Sequence, residues 1–179
     1  MLSVERITDA GLAILDAWGL GDLSMRRIAD ELGVKAGALY YHVPNKQSLL
    51  ARIADVILAP VAVPPEDSLE NWLRHWAHAL RAALLQHRDG AELVASTTAL
   101  GLGSVDPRAA GAAILAEHGA PEPTATMAAF LHFILGHVTA EQTRMQLVTL
   151  GVLETFDEAA ATRDFDHGIG LLITGCRFE

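Results

Sequence analysis

The chain has 179 residues, a formal net charge of −9 and 51% hydrophobic residues, enough for one large domain or a small domain beside a larger one. No apolar run approaches the ~20 residues of a membrane span, MLSVERITDA carries charges early and no apolar signal segment, and the single Cys176 excludes an intramolecular disulfide framework and suits a reducing cytoplasm. The apolar excess comes largely from Ala and Leu, with few β-branched runs, so an all-α chain is expected.

The first element is VERITDAGLAILDAWGL, with Ile7, Ala10, Ile14, Leu15 and Trp18 at the spacing of one helix face. Ser3 is its N-cap and Gly19 its stop. After GDLS, Ser24 caps MRRIADEL, whose inner face is Ile28, Ala29 and Leu32, and Gly33 ends it. A third, short helix is predicted over 36–43, stopped by Pro44 because a residue before proline is pushed out of the helical region. Asn45 then caps KQSLLARIADVILA, with Leu49, Leu50, Ile53 and Ile57 inward.

APVAVPPEDS, with Pro60, Pro64 and Pro65, reads as a connector, which divides the chain into domains 1–58 and 59–179. Ser68 caps the next helix, which carries Trp72, Trp76, Ala79, Leu80 and Ala83 along one side. Residues 89–100 are shorter and less periodic. GLGSVDP is a loop in which Asp106 and Pro107 read as a cap and first helical residue for RAAGAAILAEHG. A long helix follows over about 124–149. Residues 151–162 stay unassigned, and FDHGIGLLITGC is helical again. No repeat of fixed period is present.

The second and third helices are joined by GVKA, a tight turn with glycine, which is the helix-turn-helix arrangement with the second of the pair as reading element. Leu39 points inward. Lys35, Ala36, Gly37, Ala38, Tyr40 and His42 can point outward, with Ser24, Arg26 and Lys46 on the same side. Small residues let the backbone approach base edges, while hydroxyls, an imidazole and cations serve phosphates. Tyr41 is open between packing and a DNA contact. The charge distribution permits this reading. Residues 1–58 hold six Lys/Arg against seven acids, and four of those cations lie between 26 and 46, so the acidic excess belongs to the rest of the chain.

At these residues the chain resembles a known family. Residues 3–58, above all GLGDLSMRRIADELGVKAGALYYHVPNKQSLL, look like the DNA-binding domain of the tetracycline repressor (TetR) family. ALLQHRDGAEL, FILGHVTAEQ and GLLITG are similar to its later segments, so the resemblance spans nearly the whole chain. It implies an all-helical homodimer. A three-helix helix-turn-helix DNA-binding domain would read double-stranded DNA at a palindromic operator. A larger helical C-terminal domain would take a small-molecule effector and pair with its copy through its late helices. Independently, the helices around 130–138 and 169–173 are apolar on more than one face and need partners on two sides.

The tetracycline repressor holds its drug as a magnesium chelate, through a His after HRDGA and a Glu after FxLG. The matching positions here are Val94 and Ala140, which cannot serve a hard cation. By position, Trp76, Leu80, Thr97, Thr98, Gly111, Met127, Phe130 and His137 are candidates to line the effector cavity. They are an apolar, aromatic set suited to a hydrophobic molecule, and for each, ordinary core packing is the alternative. His75 and His78 stand three apart with no third ligand in view, so no metal or cofactor is expected. No nucleophile triad, HExxH, P-loop or cysteine cluster occurs, so an enzyme is not expected either. The reading is a ligand-responsive repressor. An activator, or a helical binding protein that no longer reads DNA, are the alternatives.

Overall fold

Ser3 begins the first helix by accepting a hydrogen bond from the Arg6 backbone N–H. The computed structural model describes residues 1–63 and 66–176; Pro64 and Pro65 of the predicted connector lie outside the described residues. Among the described residues every regular element is helical: α1 (Val4–Trp18), α2 (Met25–Glu31), α3 (Ala36–Tyr40), α4 (Lys46–Leu58), α5 (Leu69–Leu85), α6 (Gly90–Ala99), α7 (Ala109–Glu117), α8 (Pro123–Thr149) and α9 (Glu158–Gly175), with one 3-10 turn at Leu20–Asp22. The all-α expectation holds.

The capping chemistry explains most helix starts. Ser24 accepts from the Arg27 N–H and Asn45 from the Ser48 N–H, each satisfying one of the four orphan donors of a helix N-terminus. Gly19, at φ 86°, takes the backbone out of α1 through a conformation that L side chains rarely adopt. Ser3→Ala is expected to cost about 1 kcal/mol, to be read as a shift of the urea midpoint at unchanged slope.

The chain divides into two compact units. The first is Met1–Ala59 with Leu84–Val105, and the second is Pro60–Ala83 with Asp106–Glu179. The chain leaves the first unit after Ala59. Residues 84–105 return to it, because α6 packs on α4. Ile7, Ile14, Leu15, Ile28, Leu39, Leu49, Ile53 and Ile57 form the first unit's core. Trp72, Leu73, Trp76, Leu80, Met127, Phe130, Ile134, Phe165 and Ile169 form the second's.

Several boundaries differ from the sequence reading. Trp18 is not on the inner face of α1. It is 57% exposed, because the Arg27 guanidinium lies over its ring at 4.5 Å and supplies a partner at the surface. Gly11 faces the core instead, where a Cβ would stand 2.8 Å from Ile53 Cδ1. The third helix stops at Tyr40, not Val43. Tyr41 and His42 form a turn in which His42 and Val43 both donate to the Leu39 carbonyl. The seventh helix starts at Ala109, not Pro107, because Asp106 spends its carboxylate on the Arg108 backbone and guanidinium. That Arg108 contact holds the Asp106 carboxyl below its ordinary range. The last helix begins seven residues before Phe165, at Glu158, with Asp157 capping the Ala160 N–H. Gly168 on that helix seats the Phe133 ring of α8, since a Cβ there would lie 2.2 Å from Phe133 Cζ.

Candidate nucleic-acid interface

The reading-element geometry is built by a glycine turn and one buried leucine. Gly33, at φ 66°, closes α2, and Val34 N–H donates to the Ala29 carbonyl at 2.9 Å to fix the turn. Five residues are too few for a self-stable helix, so α3 depends on what it packs against. Leu39 and Val43 are fully buried and hold it. This leaves Lys35, Gly37, Ala38, Tyr40 and Tyr41 exposed, with Ala36 and His42 half-buried. Tyr41 is 89% exposed, its ring meeting only the edge of His42 at 5.3 Å among the described ring contacts. A Cβ added at Gly37 would meet nothing within 4 Å. The surface beside the start of α3 is therefore open.

Ser24 and Arg26 are exposed and Lys46 is half-buried at the first position of α4. Among the described residues Arg26, Lys35 and Lys46 make no ion pair. Arg27 differs from them: it is committed to Asp22 and to the Trp18 face. The unit thus offers three uncommitted cations, two tyrosine hydroxyls and an imidazole around a short helix of small residues.

The second unit is arranged around α5, α7, α8 and α9. Trp76 donates its indole N–H to the Pro107 carbonyl at 3.0 Å and meets the Phe130 ring at 6.5 Å. Leu80, Met127 and Phe130 are buried. Met127 occupies the space a side chain at Gly111 would need, with its sulfur 2.6 Å from the ideal Cβ position. His137 lines a cavity of about 280 Å³ between α8 and α9, together with Ala140, Glu141, Arg144, Phe156, Asp157 and Asp164. Thr97 and Thr98 belong to the first unit, and the Thr97 hydroxyl donates to the Leu93 and Val94 carbonyls.

Glu141 and Arg81 were not readable as a pair. Arg81 Nε and Nη2 donate to the two Glu141 oxygens at 2.8 Å each. The same Nη2 reaches the Thr162 hydroxyl at 3.2 Å, and the guanidinium lies over the Phe165 ring at 5.0 Å. His137 Nε2 is 2.9 Å from Glu141 Oε1 and 3.1 Å from the Ala161 carbonyl. Glu141's carboxylate is thereby consumed inside the second unit.

Residues 7–53 match the family described as bacterial regulatory proteins, tetR family, and residues 61–165 match the tetracyclin repressor-like C-terminal domain. The chain belongs to the tetR family. Its helix-turn-helix and late-helix segments resemble the TetR pattern because both halves of the family's architecture are present. Among solved structures it is similar to Mycobacterium smegmatis BioQ, at 35% identity, 98% coverage of both chains and a TM-score of 0.88. It is also similar to a BioQ in complex with its natural double-stranded DNA operator, at 32% identity, 98% coverage of both chains and a TM-score of 0.82. A curated TetR relative is the class A tetracycline repressor protein from transposon 1721 of Escherichia coli, 29% identical over 97% of this chain and 90% of that one.

Proposed function

We propose that this tetR-family chain is a ligand-responsive transcriptional repressor: a homodimer that binds a palindromic operator and is released from it by a small hydrophobic effector. The observation that carries the reading is the outward face of α3, with Gly37 in open space and Tyr40 and Tyr41 exposed. The similar chain with its operator supports the DNA partner. Ala36, Gly37 and Ala38 face base edges. Ser24, Arg26, Lys35, Tyr40, Tyr41, His42 and Lys46 serve the phosphates, which position the head without reading sequence.

Dimerisation is supported by apolar side chains that the described residues leave uncovered, namely Met145 and Leu150 at the end of α8, Val152 after it and Leu171 on α9. The effector is taken up in the second unit beside Trp76, Leu80, Met127 and Phe130. Met127 is the flexible member, and its displacement from Gly111 opens volume without breaking a polar contact. Val94 and Ala140 offer no ligand for a magnesium chelate, so the effector differs from tetracycline in how it is held. Release follows if the effector prefers the geometry that does not fit DNA. Among the described residues no helix is long and apolar enough to cross a membrane, and a cytoplasmic location accompanies the proposed role.

The test is selection of genomic DNA fragments by the full chain, followed by gel shifts across salt. Specific retention is expected, with affinity falling by about 10³–10⁵ between 50 and 200 mM salt if six to ten phosphates are neutralised. Lys46→Ala should weaken all sequences alike and lower the salt slope by about one. Gly37→Ala separates reading from folding. The added methyl meets only solvent within the chain and removes a glycine from a helix interior, which favours stability by up to about 1 kcal/mol. Operator affinity should nonetheless fall, because the methyl intrudes where the base edges lie. Unchanged affinity on every fragment would place the reading face elsewhere.

A further inference from the structure

The cavity between α8 and α9 is walled by charges of both signs. Arg144 lines it from α8, and Asp157 and Asp164 line it from the α9 side, Asp157 as the residue that caps that helix. All three are exposed. Among the described residues none of them makes an ion pair, with one another or elsewhere. Asp157 spends Oδ1 on the Ala160 N–H at 2.8 Å, which leaves its other oxygen to spare.

Glu141 lines the same cavity but brings no open charge to it. Arg81 donates to both of its oxygens at 2.8 Å, and His137 Nε2 stands 2.9 Å from Oε1. The same His137 nitrogen lies 3.1 Å from the Ala161 carbonyl, which can only accept, so that nitrogen carries a proton. What remains for a solute is one guanidinium, two carboxylates and the half-buried ring of Phe156. The cavity is about 280 Å³, at the small end of ligand pockets, which run from about 300 Å³. Trp76, Leu80, Met127 and Phe130 are not among its lining residues, so it is separate from the apolar cluster in the same unit. Opposite charges facing one space without pairing leave a gap that a molecule carrying both complements can bridge.

We propose that this cavity is a further ligand site, for a small zwitterion. Its carboxylate sits on Arg144, its ammonium on Asp157 and Asp164, and a short apolar spacer lies against Phe156. A guanidinium takes a carboxylate through two parallel N–H donors. An ammonium has three donors and no acceptor, which suits carboxylates, and its charge is drawn to an aromatic face. A simple anion would satisfy Arg144 and meet two carboxylates. A simple cation would satisfy the carboxylates and meet the guanidinium. Only a molecule with both charges completes both walls. The site does not depend on the repressor reading, because no DNA need be bound for it to fill.

The experiment is a ligand-observed NMR titration of the full chain with three probes. Para-aminomethylbenzoate carries a carboxylate and an ammonium at opposite ends of one ring; benzoate and benzylamine each carry one of them. The zwitterion is expected to bind, and each single-charge probe to bind about tenfold or more weaker, the worth of one hydrogen bond to a charged group. Arg144→Gln should weaken the zwitterion by about the same factor without weakening benzylamine. Asp164→Asn should weaken the zwitterion without weakening benzoate. Both positions are exposed, so both variants fold, and Asp157 is left alone because it caps α9. Arg144→Glu should turn the preference to para-xylylenediamine, which has an ammonium at each end. No saturation transfer to the zwitterion up to millimolar concentration overturns the proposal. So does equal binding of a single-charge probe, or unchanged zwitterion affinity in both Arg144→Gln and Asp164→Asn.

Discussion

Arg81→Ala should destabilise the chain by about 3–5 kcal/mol, the range for breaking a buried ion pair from one side. The pair is bidentate, and Arg81 and Glu141 are 8% and 4% exposed. Removing the guanidinium leaves a buried carboxylate in the second unit with His137 beside it at 2.9 Å. It also removes the cation over Phe165 and the donor to Thr162. Arg81→Lys should recover little, because an ammonium cannot reproduce two parallel N–H donors. The double variant Arg81→Met with Glu141→Leu should recover most of the loss, since no charge then remains to be desolvated. Urea titrations read the difference, with near-UV dichroism of Trp72 and Trp76 reporting the second unit, where both rings are buried and stacked at 6.4 Å. A loss under about 1 kcal/mol for Arg81→Ala would match a solvated surface pair and contradict the burial.

The same pair shows what the sequence could not disclose. Arg81 and Glu141 are 60 residues apart, and each by itself reads as a charge on an exposed helix face. Only the packing of α5 against α8 and α9 turns those faces inward. Asp55 was hidden for the same reason. It sits on a helix as an ordinary acid, and it accepts from the Ser104 and Val105 backbone N–H groups and the Ser104 hydroxyl, 49 and 50 residues away, too far along the chain to leave a mark in local patterning. By contrast, Ser3, Ser24 and Asn45 were legible as caps because their partners lie three residues on. Gly19 and Gly33 were legible as stops because few other residues adopt a positive φ. Trp18 misled the reading because hydrophobicity scores cannot anticipate an arginine arriving from the next helix. The first part of α9 escaped because the residues of EAAATRD are small or polar, so periodicity gave no signal until Phe165. The affiliation of α6 escaped because chain order and spatial grouping diverge there. The helix-turn-helix was readable almost entirely from local rules; the internal wiring of both units was not.

Leu39→Ala should weaken operator binding on every sequence while leaving the second unit folded. Leu39 is fully buried, and truncating a core leucine costs about 2–5 kcal/mol. Here that loss falls on a helix of five residues, which has no means of holding itself together. Leu39 is also the acceptor for both the His42 and Val43 backbone N–H groups, so displacing its side chain loosens the turn carrying Tyr41 and His42 as well. If the full loss is taken by a reading element with no stability in reserve, its competent population, and with it the affinity, drops by at most roughly 30- to several-thousand-fold at 1.4 kcal/mol per tenfold. The near-UV signal of Trp72 and Trp76 should persist, because both belong to the other unit. Hydrogen exchange at Ala36–Tyr40 should accelerate while α1 stays protected through Ile7, Ile14 and Leu15. The decisive comparison is with Gly37→Ala, which leaves α3 intact and changes only its outer face. Loss of both affinities, with α3 loosened in one variant and firm in the other, assigns the recognition to this helix. A Leu39→Ala chain that binds its operator normally with α3 unprotected would remove α3 from the interface altogether.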